Sequence, residues 1–335
     1  MKTAFLKKLN DVIIKDVDLP PLAPEEIKIR VDASGICGTD AANARIGLSE
    51  HKVFGHEVAG TVIATGSNAK KFKPGQKVLL ESASACGVCD NCKNTRQELC
   101  TDIKSFFFKQ SFGMAEEMIT PEISAIAYSG ITPEEACLTE PLGVAVDLVR
   151  LSDIQLSSNV LIIGPGPIGL MALAIVKKMG ARRIFVSGLS SNKKRLALAE
   201  KYGADGIIHA DKVKLAEYAF KCGIDRILVT APPALLNDAF SIAANGAVIS
   251  FIGIGHGDGA FCRFDANAFH FKKLQLRASF ASPALYTPLA LSYLMDGVLN
   301  GKDFISHTFP LAKINEGLAA AVDETNSVKV VINQE

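Results

Sequence analysis

The stretch "NVLIIGPGPIGLMALAIVKKMG", residues 159–180, runs from a short apolar strand pattern through a glycine-rich turn into a long apolar helix pattern. Gly164, Gly166 and Gly169 stand at G-x-G-x-x-G spacing, with Pro167 and Ile168 opening the helix. Alone, that spacing is a weak signal, because an ordinary strand-to-helix turn also carries glycines. Its setting strengthens it. "RRIFVSG" (182–188) and "NKKRLALAEKYGAD" (192–205) supply the next strand and helix, the alternation that builds a buried parallel sheet. In such a unit the glycines allow a tight turn and close packing while the helix N-terminus faces a pyrophosphate, so a dinucleotide is the expected ligand.

Further along the chain, "IDRILVT", "GAVISFIGI" and "LQLRASF" continue the same sheet to about Phe280. The tail then offers two helices, "TPLALSYLMDGVL" and "LAKINEGLAAAVDE", and a closing strand "SVKVVI". Towards the N-terminus the pattern changes. "IKIRVDASGICGTD", "EVAGTVIATGS" and "KPGQKVLL" are β-branched, alternating and punctuated by glycine or proline, which reads as a mainly β lobe. A chain of 335 residues exceeds the usual size of one core, so two domains are expected. The expected divisions are 1–141 for the β lobe, 142–280 for the α/β dinucleotide domain and 281–335 for a return to the first lobe.

Composition narrows the class of ligand. Lys+Arg 36 against Asp+Glu 35 leaves no excess field to attract nucleic acid or an anionic membrane. No segment approaches the roughly 18 apolar residues of a membrane span, and the N-terminal "MKTAFLKKLNDVIIKD" lacks a long apolar core. The expectation is a soluble, cytoplasmic protein acting on a small molecule.

Thiols stay reduced in that compartment, so the eight cysteines read as metal ligands or core residues rather than disulfides. Cys86, Cys89, Cys92 and Cys100 crowd into C-x2-C-x2-C-x7-C. Four thiolates in one short loop suit the tetrahedral preference of Zn²⁺ and leave no open position, the mark of a structural site. An iron–sulfur cluster is the competing reading, but the fourth thiol lies too far on and no proline follows it. "CGTD" (37–40) and "GHE" (55–57) add a thiol, a hydroxyl, an imidazole and two acids, none of them specific alone.

Taken in order, GICGTD, GHEVAG, the cysteine lobe, "TEPLGVA", "GPGPIG" and the terminal "KVVI" resemble the zinc-dependent medium-chain alcohol dehydrogenases, in their polyol, sorbitol dehydrogenase-like branch. The resemblance spans essentially the whole chain. It implies a GroES-like catalytic domain beside a doubly wound Rossmann domain, and two zinc ions per chain. Cys37 and His56 would bind the catalytic zinc, with Glu140 of "TEPLGVA" as third ligand and Cys137 as a conceivable substitute. A Cys37 thiolate and a Glu140 carboxylate cancel the charge of zinc, so Glu57 reads as an exchanging ligand rather than a permanent one. Asp40 is placed to accept from the free nitrogen of His56. Thr39 would take the proton from the substrate hydroxyl. Many relatives continue that relay with a histidine, where this chain has Ala41, Ala42 and Asn43; His51 reads as a surface residue.

The resemblance further implies a nicotinamide cofactor. NAD enzymes usually carry an acid at the end of the second strand, where this chain has Ser187 and Gly188, followed by Lys193, Lys194 and Arg195. The missing acid and the nearby cations tilt the reading towards NADP, although the cations equally suit a solvated helix face. Thr230, Gly253, Ser279 and Phe280 lie where relatives contact the rest of the dinucleotide. The implied reaction interconverts a secondary alcohol of a polyol or sugar-derived compound and its ketone. Alternatives are a threonine dehydrogenase-like or simple alcohol/aldehyde oxidoreductase and, from another class, a non-catalytic zinc- and dinucleotide-binding sensor. Phe106 to Phe108 either wall the substrate pocket or form an aromatic core strand. Relatives are homodimers or homotetramers, and the sequence does not choose.

Overall fold

Strand alternation and strand continuity separate two kinds of sheet in this chain. The computed structural model describes residues 1–255 and 257–334. It divides into two compact units, Met1–Gly143 with the tail from Ala281 on, and Val144–Phe280.

In the first unit, the strand Glu26–Gly35 buries Ile27, Ile29 and Val31 while Lys28 and Arg30 point outward, the period of two that a half-solvated antiparallel strand requires. It is the centre of a seven-stranded sheet. Glu57–Thr65, Lys77–Leu80 and Ala125–Ala127 follow on one side, and Lys329–Asn333 and Ile305–Pro310 on the other, while Glu117–Pro121 also pairs with the central strand. Ile27, Ile29, Val31, Val58, Val62 and Phe106 close one core against this sheet. A smaller three-stranded sheet joins Asp11–Asp16, Lys2–Lys8 and Lys52–Val53.

The register of the large sheet brings remote parts of the chain together. Gly35 pairs with Glu57 on one side and with Val331 on the other. The chain turns out of the sheet at Ile36 and enters the helix Gly38–Ile46 at Cys37. Three distant segments, at residues 35–37, 57 and 329–331, are therefore held at adjoining positions by ladder hydrogen bonds.

In the second unit the strands are continuous apolar runs. Asn159–Ile163 buries Val160 through Ile163, as expected for a parallel strand covered on both faces. The sheet is six-stranded and every pairing in it is parallel, in the order Gly206–His209, Arg183–Gly188, Asn159–Ile163, Ile224–Val229, Ala243–Phe251, Gln275–Ala278. Counted along this unit, that is 3-2-1-4-5-6, the doubly wound Rossmann arrangement, with its topological switch beside Asn159–Ile163. The protein is thus α/β, with a mainly β unit and a Rossmann unit. Among the described residues no helix is long and apolar enough to cross a membrane.

The segment "SFFFKQSF" departs from the expectation of an aromatic core strand. Phe106–Lys109 is a 3-10 turn, not a strand, because Ser105 accepts the Phe107 N–H and Gln110 takes a left-handed conformation at φ 50°. A turn sends its side chains to different places. Phe106 is fully buried in the core, while Phe107 is partly exposed and Phe108 largely so.

Truncating Leu161, which is fully buried in the Rossmann core, to alanine is expected to cost about 2–5 kcal/mol by urea unfolding. Leu156→Ala, at a site 78% exposed, should stay within about 0.5 kcal/mol, and equal losses would contradict the assigned core.

Candidate functional site

The helix Gly38–Ile46 begins on a cysteine. Cys37 is its N-cap, with the sulfur accepting the Thr39 N–H at 3.5 Å and the Thr39 hydroxyl oxygen 3.7 Å away. Asp40, at the third helical position, closes a capping box by accepting the Cys37 N–H at 3.4 Å. A carboxylate accepts more than one donor, so this bond, made through Oδ2, leaves acceptor capacity for His56. Asp40 still acts on His56 through space, and burial raises its own pKa.

One donor atom each from Cys37, His56 and Glu57 lie within 4.8 Å of one another. The set that closes to this distance contains Glu57 and not Glu140. Glu140, half-buried in the first turn of the helix Thr139–Leu151, is near enough to raise the His56 pKa electrostatically. Burial pushes the Glu140 carboxyl up to about 7, against the pull of His56. Burial by itself lowers the His56 pKa, but the Cys37 sulfur and the neighbouring acids outweigh it and hold the imidazole well above its usual value. Cys137 is fully buried and donates its S–H to Glu134 O at 3.1 Å, and burial raises its pKa, so it behaves as a core thiol.

Glu57 is 1% exposed and Lys329 is 3% exposed. Lys329 donates to Glu57 Oε1 at 2.5 Å and to Ile36 O at 3.1 Å, a pair to which no sequence motif points. Desolvation works against the Lys329 charge, yet Glu57 and Cys37 keep its pKa above the ordinary value. The other carboxylate oxygen, Glu57 Oε2, has no hydrogen-bond partner among the described residues. It lies where Gly35 leaves room, since a Cβ there would sit 2.0 Å from it. An unsatisfied buried carboxylate oxygen costs about 1–3 kcal/mol or more, and a cation bound by Cys37 and His56 would relieve it. The thiol, imidazole and carboxylate set therefore suits zinc. Phe107 packs edge-on to the His56 ring at 6.2 Å and forms an aromatic wall with Phe112, stacked at 5.1 Å. His51 bonds Asp11 at 2.9 Å.

In the cysteine lobe, one sulfur each from Cys86, Cys89, Cys92 and Cys100 lie within 4.8 Å of one another. The measured separations are 4.0 Å for Cys86–Cys92 and 3.9 Å for Cys89–Cys100. Sulfurs at tetrahedral corners about 2.3 Å from zinc stand roughly 3.8 Å apart, so the lobe fits the ion with almost no adjustment. Backbone N–H groups of Val88 and Cys89 point at Cys86 Sγ, and that of Cys86 at Cys100 Sγ. Donors from Cys92 and Thr101 draw the Cys89 thiol down to about 6, whereas burial pushes Cys92 up to about 12.

In the Rossmann unit, Gly164 takes φ 106° and the helix Pro167–Lys178 opens on Gly166 with no side-chain cap. A Cβ at Gly169 would lie 2.1 Å from Gly164 O, so close packing demands glycine there. A Cβ at Gly166 would meet nothing, which leaves that side of the turn, with the first-turn amides beyond Pro167 and Ile168, open to a phosphate. Thr230 donates to Gly164 O at 2.8 Å and so braces the turn from the fourth strand. Gly253 approaches Ala231 O so closely that a Cβ would be 2.0 Å away.

The other candidate contacts differ in exposure. Ser279 is buried with its hydroxyl donated to Asp147 at 2.5 Å, and Phe280 is 73% exposed. Ser187 is buried, and Arg195 is buried and engaged within the protein, so of the three cations only Lys193 and Lys194 face solvent. The helix Lys193–Lys201 turns Arg195 inward because it lies two positions beyond Lys193, on the opposite face.

Comparison with known proteins agrees with this geometry. The family described as alcohol dehydrogenase GroES-like domain matches residues 23–130, and that described as zinc-binding dehydrogenase matches residues 167–292. The chain is 30% identical to the D-arabitol-phosphate dehydrogenase of Enterococcus avium, over 95% of this chain and 92% of that protein. It is 28% identical to the sorbitol dehydrogenase of Bacillus subtilis, over 99% and 97% respectively. The solved structure of alcohol dehydrogenase TADH from Thermus sp. ATN1 superposes with TM-score 0.87 at 25% identity, covering 100% of both chains.

Replacing Lys329 by methionine should strand the buried Glu57 charge and cost about 3–5 kcal/mol in urea unfolding, with Glu57→Gln in the same chain recovering most of the loss. A double-mutant cycle with no coupling would show that the pair contributes nothing.

Proposed function

The chain belongs to the zinc-dependent medium-chain alcohol dehydrogenases, in their polyol branch, and we propose that it interconverts a secondary hydroxyl of a polyol or sugar-derived substrate and its ketone. The observation that carries this reading is the convergence of Cys37, His56 and Glu57 within 4.8 Å, beside the exposed hydroxyl-bearing Thr39. Zinc when bound supplies a Lewis acid that polarises the substrate hydroxyl, and a nicotinamide dinucleotide supplies the hydride acceptor.

The protein's own groups do the rest. Cys37, His56 and Glu140 form the proposed permanent ligand set, whose thiolate and carboxylate balance a divalent charge. Glu57, neutralised by Lys329, adds no net charge, and its spare oxygen gives it the role of an exchanging ligand. Thr39, beside the Cys37 sulfur, takes up the proton of the substrate hydroxyl while passing its own outward to water or the ribose hydroxyls. Phe107 shields the His56 side of the pocket from water. Cys86, Cys89, Cys92 and Cys100 hold a second, structural zinc. Residues 1–143 with the tail serve as the catalytic domain, and residues 144–280 bind the dinucleotide through Gly164, Gly166 and Gly169. Gly188 in place of an acid, with Lys193 and Lys194 exposed, favours NADP.

Self-association is proposed as well. Gln275–Ala278 is the edge strand of the parallel sheet, with Leu276 exposed on it, and Phe261 and Phe271, nearby in the chain, are 78% and 76% exposed. We assign the protein as a homodimer or homotetramer, and sedimentation as a monomer at micromolar concentration would overturn that.

The reaction is tested with a panel of polyols, polyol phosphates, simple alcohols and threonine against NAD and NADP. The expected result is turnover of a polyol, two zinc ions per chain by metal analysis, and a loss of kcat of about a hundredfold or more in Thr39→Val. Threonine as the best substrate would move the chain out of the polyol reading. Dinucleotide binding without turnover of any alcohol would make it a sensor.

A further inference from the structure

Position 188 carries no acid for a reason that the structure makes plain. A Cβ at Gly188 would stand 2.5 Å and 2.7 Å from the Cγ and Cδ of Pro165, and 3.3 Å from Leu196. Pro165 lies inside the turn Gly164 to Gly166, and its ring cannot swing aside as a flexible side chain does. While Pro165 is there, no aspartate or glutamate fits at the end of the strand Arg183–Gly188.

A carboxylate nevertheless stands at that end of the sheet. The neighbouring strand Gly206–His209 runs parallel, with His209 paired to Gly188 and the Ala210 N–H donating to Gly188 O at 2.9 Å. The next residue is Asp211. Its Oδ1 accepts the Ser190 N–H at 2.7 Å and its Oδ2 accepts the Ser190 hydroxyl at 2.5 Å. These two bonds anchor the exposed carboxylate to the loop that follows Gly188, at the carboxyl ends of the strands, where an open parallel sheet binds its ligand. They also hold its pKa below the usual carboxylate value, so the group is ionised at neutral pH. Ser190 and Asp211 belong to no metal site and to neither zinc-binding segment.

We propose that Asp211, clamped by Ser190, is the displaced acid of the adenosine end, a specificity-determining residue that opposes a 2′-phosphate and so counteracts Lys193 and Lys194. The inference rests on the proposed dinucleotide site. On this view Pro165, Gly188, Ser190 and Asp211 form one device. The proline evicts the acid from its usual strand, and the adjacent strand supplies it again, two residues past its own end. Cofactor choice is then a balance in which the fixed charge of Asp211, itself flanked by Lys212, moderates the lean to NADP that Lys193 and Lys194 give.

The test is equilibrium binding of NADH and NADPH, followed by nicotinamide fluorescence without any alcohol, on the wild-type chain and on Asp211→Asn. Asparagine keeps the size of the side chain and removes its charge, and the site is exposed, so the thermal midpoint should hold. Preference for NADPH over NADH is expected to rise by about tenfold or more, since a like charge beside a phosphate is removed. Ser190→Ala, which loosens the clamp without removing the charge, should move the ratio less. An unchanged ratio in Asp211→Asn, or an equal loss of affinity for both dinucleotides, overturns the inference and leaves the proposed reaction standing. A wild-type chain that binds neither dinucleotide overturns both.

Discussion

A carboxylate buried to 1% exposure beside the Cys37 thiol survives only if something neutralises it, and in this protein Lys329 does so. The pair is built by the sheet. Gly35 lies between the strand that carries Glu57 and the strand that ends the chain, and its missing side chain is the space into which Glu57 Oε2 projects. The C-terminal strand therefore does more than complete the sheet. By delivering a cation from 272 residues away, it lets an extra acid sit at the proposed metal site without making that site anionic.

The dinucleotide unit follows a comparable rule in a different currency, close approach of backbone. Gly169 lies against Gly164 O within one loop, while Gly253 against Ala231 O and Gly188 against Pro165 draw four strand-end loops into two close pairs, by contacts that no Cβ would permit. Thr230 ties the first of these loops to the fourth strand through Gly164 O. Gly166 remains free of such contacts, and that is the face proposed for a phosphate. Packing density and ligand access are thus divided residue by residue within one six-residue turn.

Much of this architecture is legible in the sequence, for physical reasons particular to each part. The glycine turn, the four-cysteine loop and the thiol at Cys37 are local, their geometry set by spacing within a few residues, so pattern alone identifies them. The alternation around Ile27, Ile29 and Val31, against the unbroken run Val160 to Ile163, tells a half-exposed antiparallel strand from a buried parallel one. Other features are hidden from local rules. Asp40 closes a capping box at the helix entry with one carboxylate oxygen, a task that the zinc motif does not announce. Ser279 and Arg195 are buried, and the Ser279 hydroxyl is donated to Asp147, which residue type and position do not reveal. Phe107 is legible only in part, since no pattern shows that a 3-10 turn divides three consecutive phenylalanines between core and site.

By itself, the sequence determined the fold class, the glycine turn and the two sets of candidate metal ligands, because each depends on residue type at short spacing. A lysine within the apolar run "SVKVVI" is a visible anomaly, but its partner is not. Only the tertiary structure decided that Lys329 meets Glu57, that Gly35 makes room for them, and that Asp211 takes up a position beside an acid's vacant place. Those outcomes depend on which strands become neighbours and in what register, and hydrogen-bond ladders between distant segments settle that only when the whole sheet has formed.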